Sequence, residues 1–250
     1  MKGRKYLYKV AVIIMVIAVW FLLTLEQTDQ EKLYFPAPLS VWNAFARQMA
    51  EIGSYSLITW YRVVLGLLIG GCFGALCGVL MSCFKVLDIL LDPIIEIIRP
   101  IPPVALTPFF ILWFGLSDAG QLLLISLGCF MTICVAVYEA VRNVNPTYIR
   151  AARTLGADRV TIYRTVILPA ILPLLLPNVR VALAGSFALA VAAEYLGAQG
   201  GLGYLIRNAR TVLQTDTVLL AALILGAESL FSDYLVRWIF GRATRWMPGL

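Results

Sequence analysis

Apolar stretches of bilayer-crossing length alternate along the chain with short polar or charged interruptions. A crossing helix needs about 20 apolar residues. Six segments are candidates: Val10–Leu25, Ser56–Cys83, a proline-rich third within Asp92–Asp118, Gln121–Val141, Ala170–Ala193 and Thr217–Ile239. Between the first two, Tyr34, Phe35, Pro36, Ala37 and Pro38 form a stiff turn. Ser40 can cap a helix over Val41–Ile52, amphipathic enough to lie along the membrane interface. Lys85 and Asp88 mark a short turn before the third segment, Gly115–Gly120 a turn after it, and Arg207–Gln214 a surface helix.

The longest polar interruption is Asn145–Pro169. Asn145 is placed to cap a helix whose first turn holds Pro146, where a missing N–H costs nothing. That helix should run to about Leu155. Tyr148, Ala151, Ala152 and Leu155 fall at i, i+3, i+4 and i+7 and share an apolar face, with Arg150 and Arg153 off it. Gly156 supplies the stop, Asp158 caps a second helix that begins near Arg159, and Leu168-Pro169 ends it. The expected product is a rigid helix-turn-helix shelf between the fourth and fifth segments.

Two segments have unusual backbones. Gly66, Gly70, Gly74 and Gly78 recur every four residues and leave one smooth stripe where a neighbouring backbone can approach. The stripe fits either static packing or a surface that slides between conformations. In the third segment, Pro93, Pro100, Pro102, Pro103 and Pro108 cannot share one straight helix, because each removes a donor and crowds the carbonyl four residues back. Freed backbone groups at membrane depth are tolerated where they face protein or a water-lined path. Arg99 sits beside this break, with Glu96 three residues earlier. A charge at the bilayer centre costs about 2.5–3.5 kcal/mol on insertion scales. Arg99 through Pro103 therefore reads either as a gate in a translocation path or as a structural Glu96–Arg99 pair.

Composition changes the picture in one direction. With 61% hydrophobic and 14% charged residues, the chain is an integral membrane protein. The net charge of +6 invites a nucleic-acid reading, and its distribution removes it. With a cytoplasmic N-terminus, fourteen lysines and arginines fall on inner segments, from Lys2, Arg4, Lys5 and Lys9 to Arg245. Only Lys32, Arg47, Arg62, Arg207 and Arg210 fall on outer ones. This asymmetry is the positive-inside pattern. The outer segments carry seven acids, Asp29 and Glu194 among them, so no basic funnel for an anion stands there. The five cysteines lie in or beside spans without C-x-x-C spacing and read as small apolar side chains, not as metal ligands or disulfides. No histidine is present, which removes the commonest general base. The first span has no small-residue cleavage site after it and reads as a retained helix.

Glu194 stands near the outer end of the fifth segment, followed by a loop with Gly200, Gly201 and Gly203 that can bend as other residues cannot. Taken alone, Glu194 also fits a plain turn with a solvated carboxylate. The glycine spacing is no phosphate loop, since no strand precedes it and no G-K-[ST] follows.

The shelf resembles the cytoplasmic loop of bacterial ABC-importer permeases, whose pattern is E-A-A-x-x-x-G, nine residues, then I-x-L-P. Ala151, Ala152, Gly156, Leu168 and Pro169 match, whereas Arg150 stands for the usual Glu and Val166 for Ile. The charge reversal means that a salt bridge from that Glu cannot be carried over. The resemblance spans roughly Val41–Arg237 and is closest to the taurine, aliphatic sulfonate and nitrate branch. Asp92–Asp118 and Val191–Ile206 are similar to that branch's typical segments.

It implies an all-α membrane protein with the type I ABC importer permease fold: six transmembrane helices and cytoplasmic coupling helices. Residues 1–40 would hold the N-terminal tail, first span and outer loop, and residues 41–250 the five-span core with the coupling loop at 145–169. The implied function is that of a non-enzymatic permease subunit importing a small anionic or zwitterionic solute, taurine or another sulfonate. Nitrate, bicarbonate and a thiamine-precursor pyrimidine are alternatives.

The implied partners are a separate ATPase carrying ATP and Mg, a periplasmic or lipid-anchored substrate-binding protein and a second copy of the chain. No cofactor or metal is expected on this chain. The implied setting is the bacterial inner membrane with both termini cytoplasmic. Asn145, Pro146, Tyr148, Arg150, Ala151, Ala152, Leu155, Gly156, Ala157, Asp158 and Arg159 would meet the ATPase. Arg99, Pro100, Pro102, Pro103 and Glu194 would serve the pathway, and Gly200, Gly201 and Gly203 the outer loop. A self-contained secondary transporter would want intramembrane carboxylate or histidine relays or inverted repeats, and none is evident. A membrane enzyme would want a nucleophile–base pair, also absent from the spans.

Overall fold

The computed structural model describes residues 2–28, 31 and 34–245, and of the first nine only Tyr8 with its side chain. Asp29 and Lys32 lie outside the described residues, as do the side chains of Lys2, Arg4, Lys5 and Lys9. Among the described residues the chain is helical throughout, with no strand. In order, the helices are α1 (Lys2–Leu23), α2 (Pro38–Cys83), α3 (Lys85–Ile98), α4 (Thr107–Phe114, entered by a 3-10 turn Pro103–Leu106) and α5 (Asp118–Arg142). Then follow α6 (Pro146–Thr154), α7 (Arg159–Ile162), α8 (Leu168–Gly197), α9 (Leu202–Thr211) and α10 (Thr215–Ala243).

Among the described residues, four helical runs are long and apolar enough to cross a membrane: α2, α5, the run Arg159–Gly197 and α10. A fifth candidate is the α3–α4 pair, bent by 82° at its break. The third predicted segment is therefore two helices at nearly a right angle, as its prolines require. Register shows what the pair does. Gly66, Gly70, Gly74 and Gly78 of α2 face Ile125, Ser126, Phe130 and Cys134 of α5 in the same order, so α2 and α5 run parallel. The chain must return from the end of α2 to the start of α5, and α3–α4 makes that return. In α1 the apolar stretch is only Val10–Leu23, short of a full crossing length. Of the six expected spans, four, or five with the bent pair, are thus met among the described residues.

Three predicted boundaries also give way. The expected break between an interfacial helix and the second span is absent, and α2 runs unbroken for 46 residues, about 69 Å at 1.5 Å per residue. Gly53 there costs only about 1 kcal/mol of helix propensity. The stretch around it is held by packing of Val41, Ala44 and Ile52 against Leu202, Leu205 and Leu220 of α9 and α10. The turn expected at Lys85 and Asp88 shrinks to the single residue Phe84. Leu168-Pro169 does not end the second loop helix. A π-helical turn, Tyr163–Ile167, widens the register just before Pro169, and the helix continues into α8. The widened turn relieves the carbonyl that the proline ring would crowd.

The glycine stripe is a contact with α5. A Cβ on Gly70 would overlap the Ser126 carbonyl, and one on Gly74 or Gly78 would lie 2.7 or 2.6 Å from the carbonyl oxygen of Phe130 or Cys134. Backbone lies directly against backbone, so added methyl groups force the helices apart, at about 1–3 kcal/mol for overpacking. Gly70→Leu is expected to abolish recovery of monodisperse protein in detergent, and Gly70→Ala to lower its thermal midpoint. Gly71→Ala, with open space around its Cβ, should change neither. Normal melting of both Gly70 variants would show that this contact is loose.

Candidate functional site

The loop Asn145–Ile167 forms a knob at the end of the bundle where α5 stops and α8 begins. The Asn145 side chain accepts the Thr147 N–H at 2.9 Å and starts α6 with Pro146 in its first turn. The helix ends where Gly156 takes φ +84°, a conformation that L side chains rarely adopt. The Asp158 carboxylate then accepts the Thr161 N–H at 3.1 Å and starts α7. Hydrogen bonding to Thr161, through its side chain first and its backbone next, holds that exposed carboxyl below the usual carboxylate range.

Ile149, Ala152 and Ala157 pack on the core formed by Val141, Val144, Ile162, Ile167 and Ile171. The Tyr163 hydroxyl donates to the Ser82 carbonyl at 3.3 Å and ties the knob to the end of α2. Of the predicted apolar face, Ala152 therefore turns partly inward, while Tyr148, Ala151 and Leu155 stay outside. Tyr148 is 60% exposed and Leu155 87%. Large apolar side chains held this far out on a rigid, polar-capped turn mark a surface built for contact.

Beside the knob lies a cavity of about 420 Å³ lined by Met81, Asp92, Ile95, Glu96, Arg99, Tyr138, Glu139 and Arg142, among others. Arg99 lies 3.8 Å from Glu139 of α5 and pairs with that residue, not with Glu96. Both side chains are more than half exposed, so the pair is weak. Pro100 and Pro102 belong to the bend between α3 and the 3-10 turn, and Pro103 opens that turn, where its side chain lies 3.7 Å from a Cβ placed on Gly128. Asp88, Tyr138 and Arg142 form a hydrogen-bonded chain that fastens α3 to α5.

At the opposite end, Glu194 is 0% exposed. Its carboxylate accepts from Arg62 Nη1 at 2.8 Å, from the Thr59 hydroxyl at 2.9 and 3.0 Å, and from the Gly203 N–H at 2.9 Å. Arg62 also donates to the Gly200 carbonyl at 2.9 Å and to Asp118. Thr59 Oγ1 accepts the Leu202 N–H at 2.8 Å. A Cβ on Gly201, whose φ is +106°, would overlap the Glu194 carboxylate, and one on Gly203 would sit 2.6 Å from the Val191 carbonyl. The two glycines thus let the turn close on the carboxylate, and the solvated-carboxylate alternative is excluded.

The sequence pattern missed Arg62, which it placed among outer charges, and Thr59. Their spacing of three from each other on α2 was the available signal. It also placed a surface helix at Arg207–Gln214, where α9 begins earlier and buries Leu202, Gly203, Leu205 and Ala209. No cluster of three or more metal-ligating side chains occurs among the described residues.

A family model described as the binding-protein-dependent transport system inner membrane component matches residues 70–245. The chain belongs to that family. It is the inner membrane, multi-pass component of a transport system, and not an enzyme. The taurine transport system permease protein TauC of Escherichia coli is 30% identical over 98% of this chain and 91% of its own length. The putative aliphatic sulfonates transport permease protein SsuC of Bacillus subtilis is 32% identical over 84% of this chain and 77% of its own. Among solved structures, the MetNI methionine ABC transporter in an inward-facing conformation matches 80% of this permease and 97% of that chain, with a TM-score of 0.59 at 24% identity. An amino acid ABC transporter matches 84% and 98%, with a TM-score of 0.61 at 18% identity. These two likenesses concern the fold alone.

Proposed function

We propose that this permease imports taurine or another aliphatic sulfonate, driven by a separate ATPase subunit that binds ATP and Mg and fed by a substrate-binding protein. The observation that carries the substrate is the match to a taurine permease over 98% of this chain and 91% of that protein. In this reading α1 joins the four long runs and the bent pair to make six spans. The knob and both termini face the cytoplasm, a reading that the distribution of basic residues supports, in the inner membrane of a bacterium. A second copy completes the pore.

The knob is the coupling element. Its exposed Tyr148, Ala151 and Leu155 enter a groove of the ATPase, and Asn145, Pro146, Gly156, Ala157 and Asp158 keep its two helices rigid. Closure of the ATPases carries the knobs together, and α5 and α8 pass the movement to the bundle. Arg99, with the bend at Pro100, Pro102 and Pro103, stands at the mouth of the cavity beside the knob and gates the path there. Glu194 serves the pathway by fixing the turn of Gly200, Gly201 and Gly203 that the binding protein meets.

Uptake of labelled taurine into proteoliposomes holding permease, ATPase and binding protein tests the function. ATP-dependent accumulation that unlabelled sulfonates compete away and nitrate does not is the expected result. Accumulation without the ATPase would favour a secondary transporter. For the gate, Arg99→Gln is expected to alter uptake at least severalfold with assembly unchanged, because its ion pair is too exposed to hold the fold. Full uptake by that variant would remove the gate.

A further inference from the structure

The knob carries more positive charge than this chain neutralises. Over Asn145–Pro169 the sequence places Arg150, Arg153, Arg159 and Arg164 against one carboxylate, Asp158. That carboxylate is occupied as the cap of α7. All four arginines are exposed, and none forms an ion pair among the described residues. Part of this placement is locally unfavourable as well. Arg150 and Arg153 are neighbours at i, i+3 on α6 and repel each other. Arg159 stands in the first turn of the run to Gly197, where the helix dipole is already positive.

Helical spacing of about 100° per residue separates the two kinds of exposed side chain. Ile149 and Ala152 face the bundle. On the side away from it, Thr147 and Thr154 form a crest. Tyr148, Ala151 and Leu155 make one flank and Arg150 and Arg153 the other. An occupant that grips the crest meets an apolar wall and a basic wall together.

We propose that the groove receiving α6 is acidic on the wall facing Arg150 and Arg153, so the ATPase recognises this knob by charge as well as shape. This rests on the coupling reading above. A protein groove is favoured over anionic lipid headgroups because the crest points away from the bundle and the occupant must cover Tyr148 and Leu155 as well as the charges. A lipid surface that takes up the apolar flank leaves the basic flank, on the other side of the crest, turned away from it, whereas a groove covers both.

The test is binding of the purified ATPase to the permease in phosphatidylcholine nanodiscs. Affinity for the unaltered permease is expected to fall as salt rises. The double variant Arg150→Glu, Arg153→Glu should bind about tenfold more weakly at low salt and lose most of the salt dependence. Reversing a carboxylate on the ATPase wall to Lys should restore binding to that variant. Unchanged affinity and salt response in the double variant would overturn the proposal. So would an effect confined to nanodiscs containing phosphatidylglycerol, which would assign the arginines to lipid. Leu155→Asp, measured alongside, separates the two readings. Weakening by Leu155→Asp alone leaves coupling standing and removes the acidic wall, while no effect from any variant removes both.

Discussion

Leu155→Asp is expected to leave the permease folded and inserted while reducing ATP-driven uptake to the level seen without ATPase. Leu155 makes this a clean change because it is 87% exposed in the free chain, so its replacement takes nothing from the bundle. Burying a leucine side chain contributes about 1.5–3 kcal/mol, and an aspartate in the same groove would be a desolvated charge. Loss of the contact alone corresponds to about a tenfold to hundredfold weaker grip on the ATPase. Ala151→Arg acts at the same surface by bulk. By contrast, Ala152 packs partly on the core, and Gly156 holds a φ of +84°, so substitutions at either confuse coupling with folding. Thermal midpoint and insertion should match the unaltered protein in Leu155→Asp and Ala151→Arg. Normal uptake by both would remove the knob from the mechanism.

Glu194→Ala is expected to destabilise the protein strongly, because the carboxylate is fully buried and paired. It leaves Arg62, a residue 6% exposed, with the Gly200 carbonyl and a single carboxylate, Asp118, whose side chain is 80% exposed to solvent. It also strips the Gly203 N–H of its acceptor. Breaking a buried pair by removing one partner costs about 3–5 kcal/mol, against a total stability of about 5–15 kcal/mol for a typical domain. Recovery of folded protein should fall sharply, and uptake should fall in proportion. Thr59→Val should cost less, about 1–3 kcal/mol for the unpaired Leu202 N–H. Full recovery of Glu194→Ala with uptake lost would move Glu194 from holding the turn to acting in transport itself.

Much of this was legible in the sequence because local rules were enough. Asn145, Pro146, Gly156 and Asp158 act through their own backbone neighbourhood, and the caps and stop stand where spacing put them. The proline cluster at Pro100–Pro103 announced a broken helix, although not an 82° bend, because the angle depends on packing against α5. What the pattern missed depends on contacts distant in sequence. Arg62 and Glu194 are 132 residues apart, and the three-residue spacing of Thr59 and Arg62 marks a shared polar face without saying what it meets. Helix α2 passes Gly53 unbroken because α9 and α10 support it from the side. Pro169 failed to end a helix because a π turn ahead of it absorbed the strain, an adjustment that residue type alone does not signal.

Site-specific photocrosslinking from position 155 in the assembled transporter tests the central claim most directly. A photoreactive phenylalanine analogue there should crosslink to the ATPase subunit, and the yield should change when ATP is trapped in the complex. The same probe at Val181, an exposed position within α8, should give none. Crosslinks from position 155 only to lipid, or labelling of that position by impermeant reagents from the outer face of intact cells, would contradict the account.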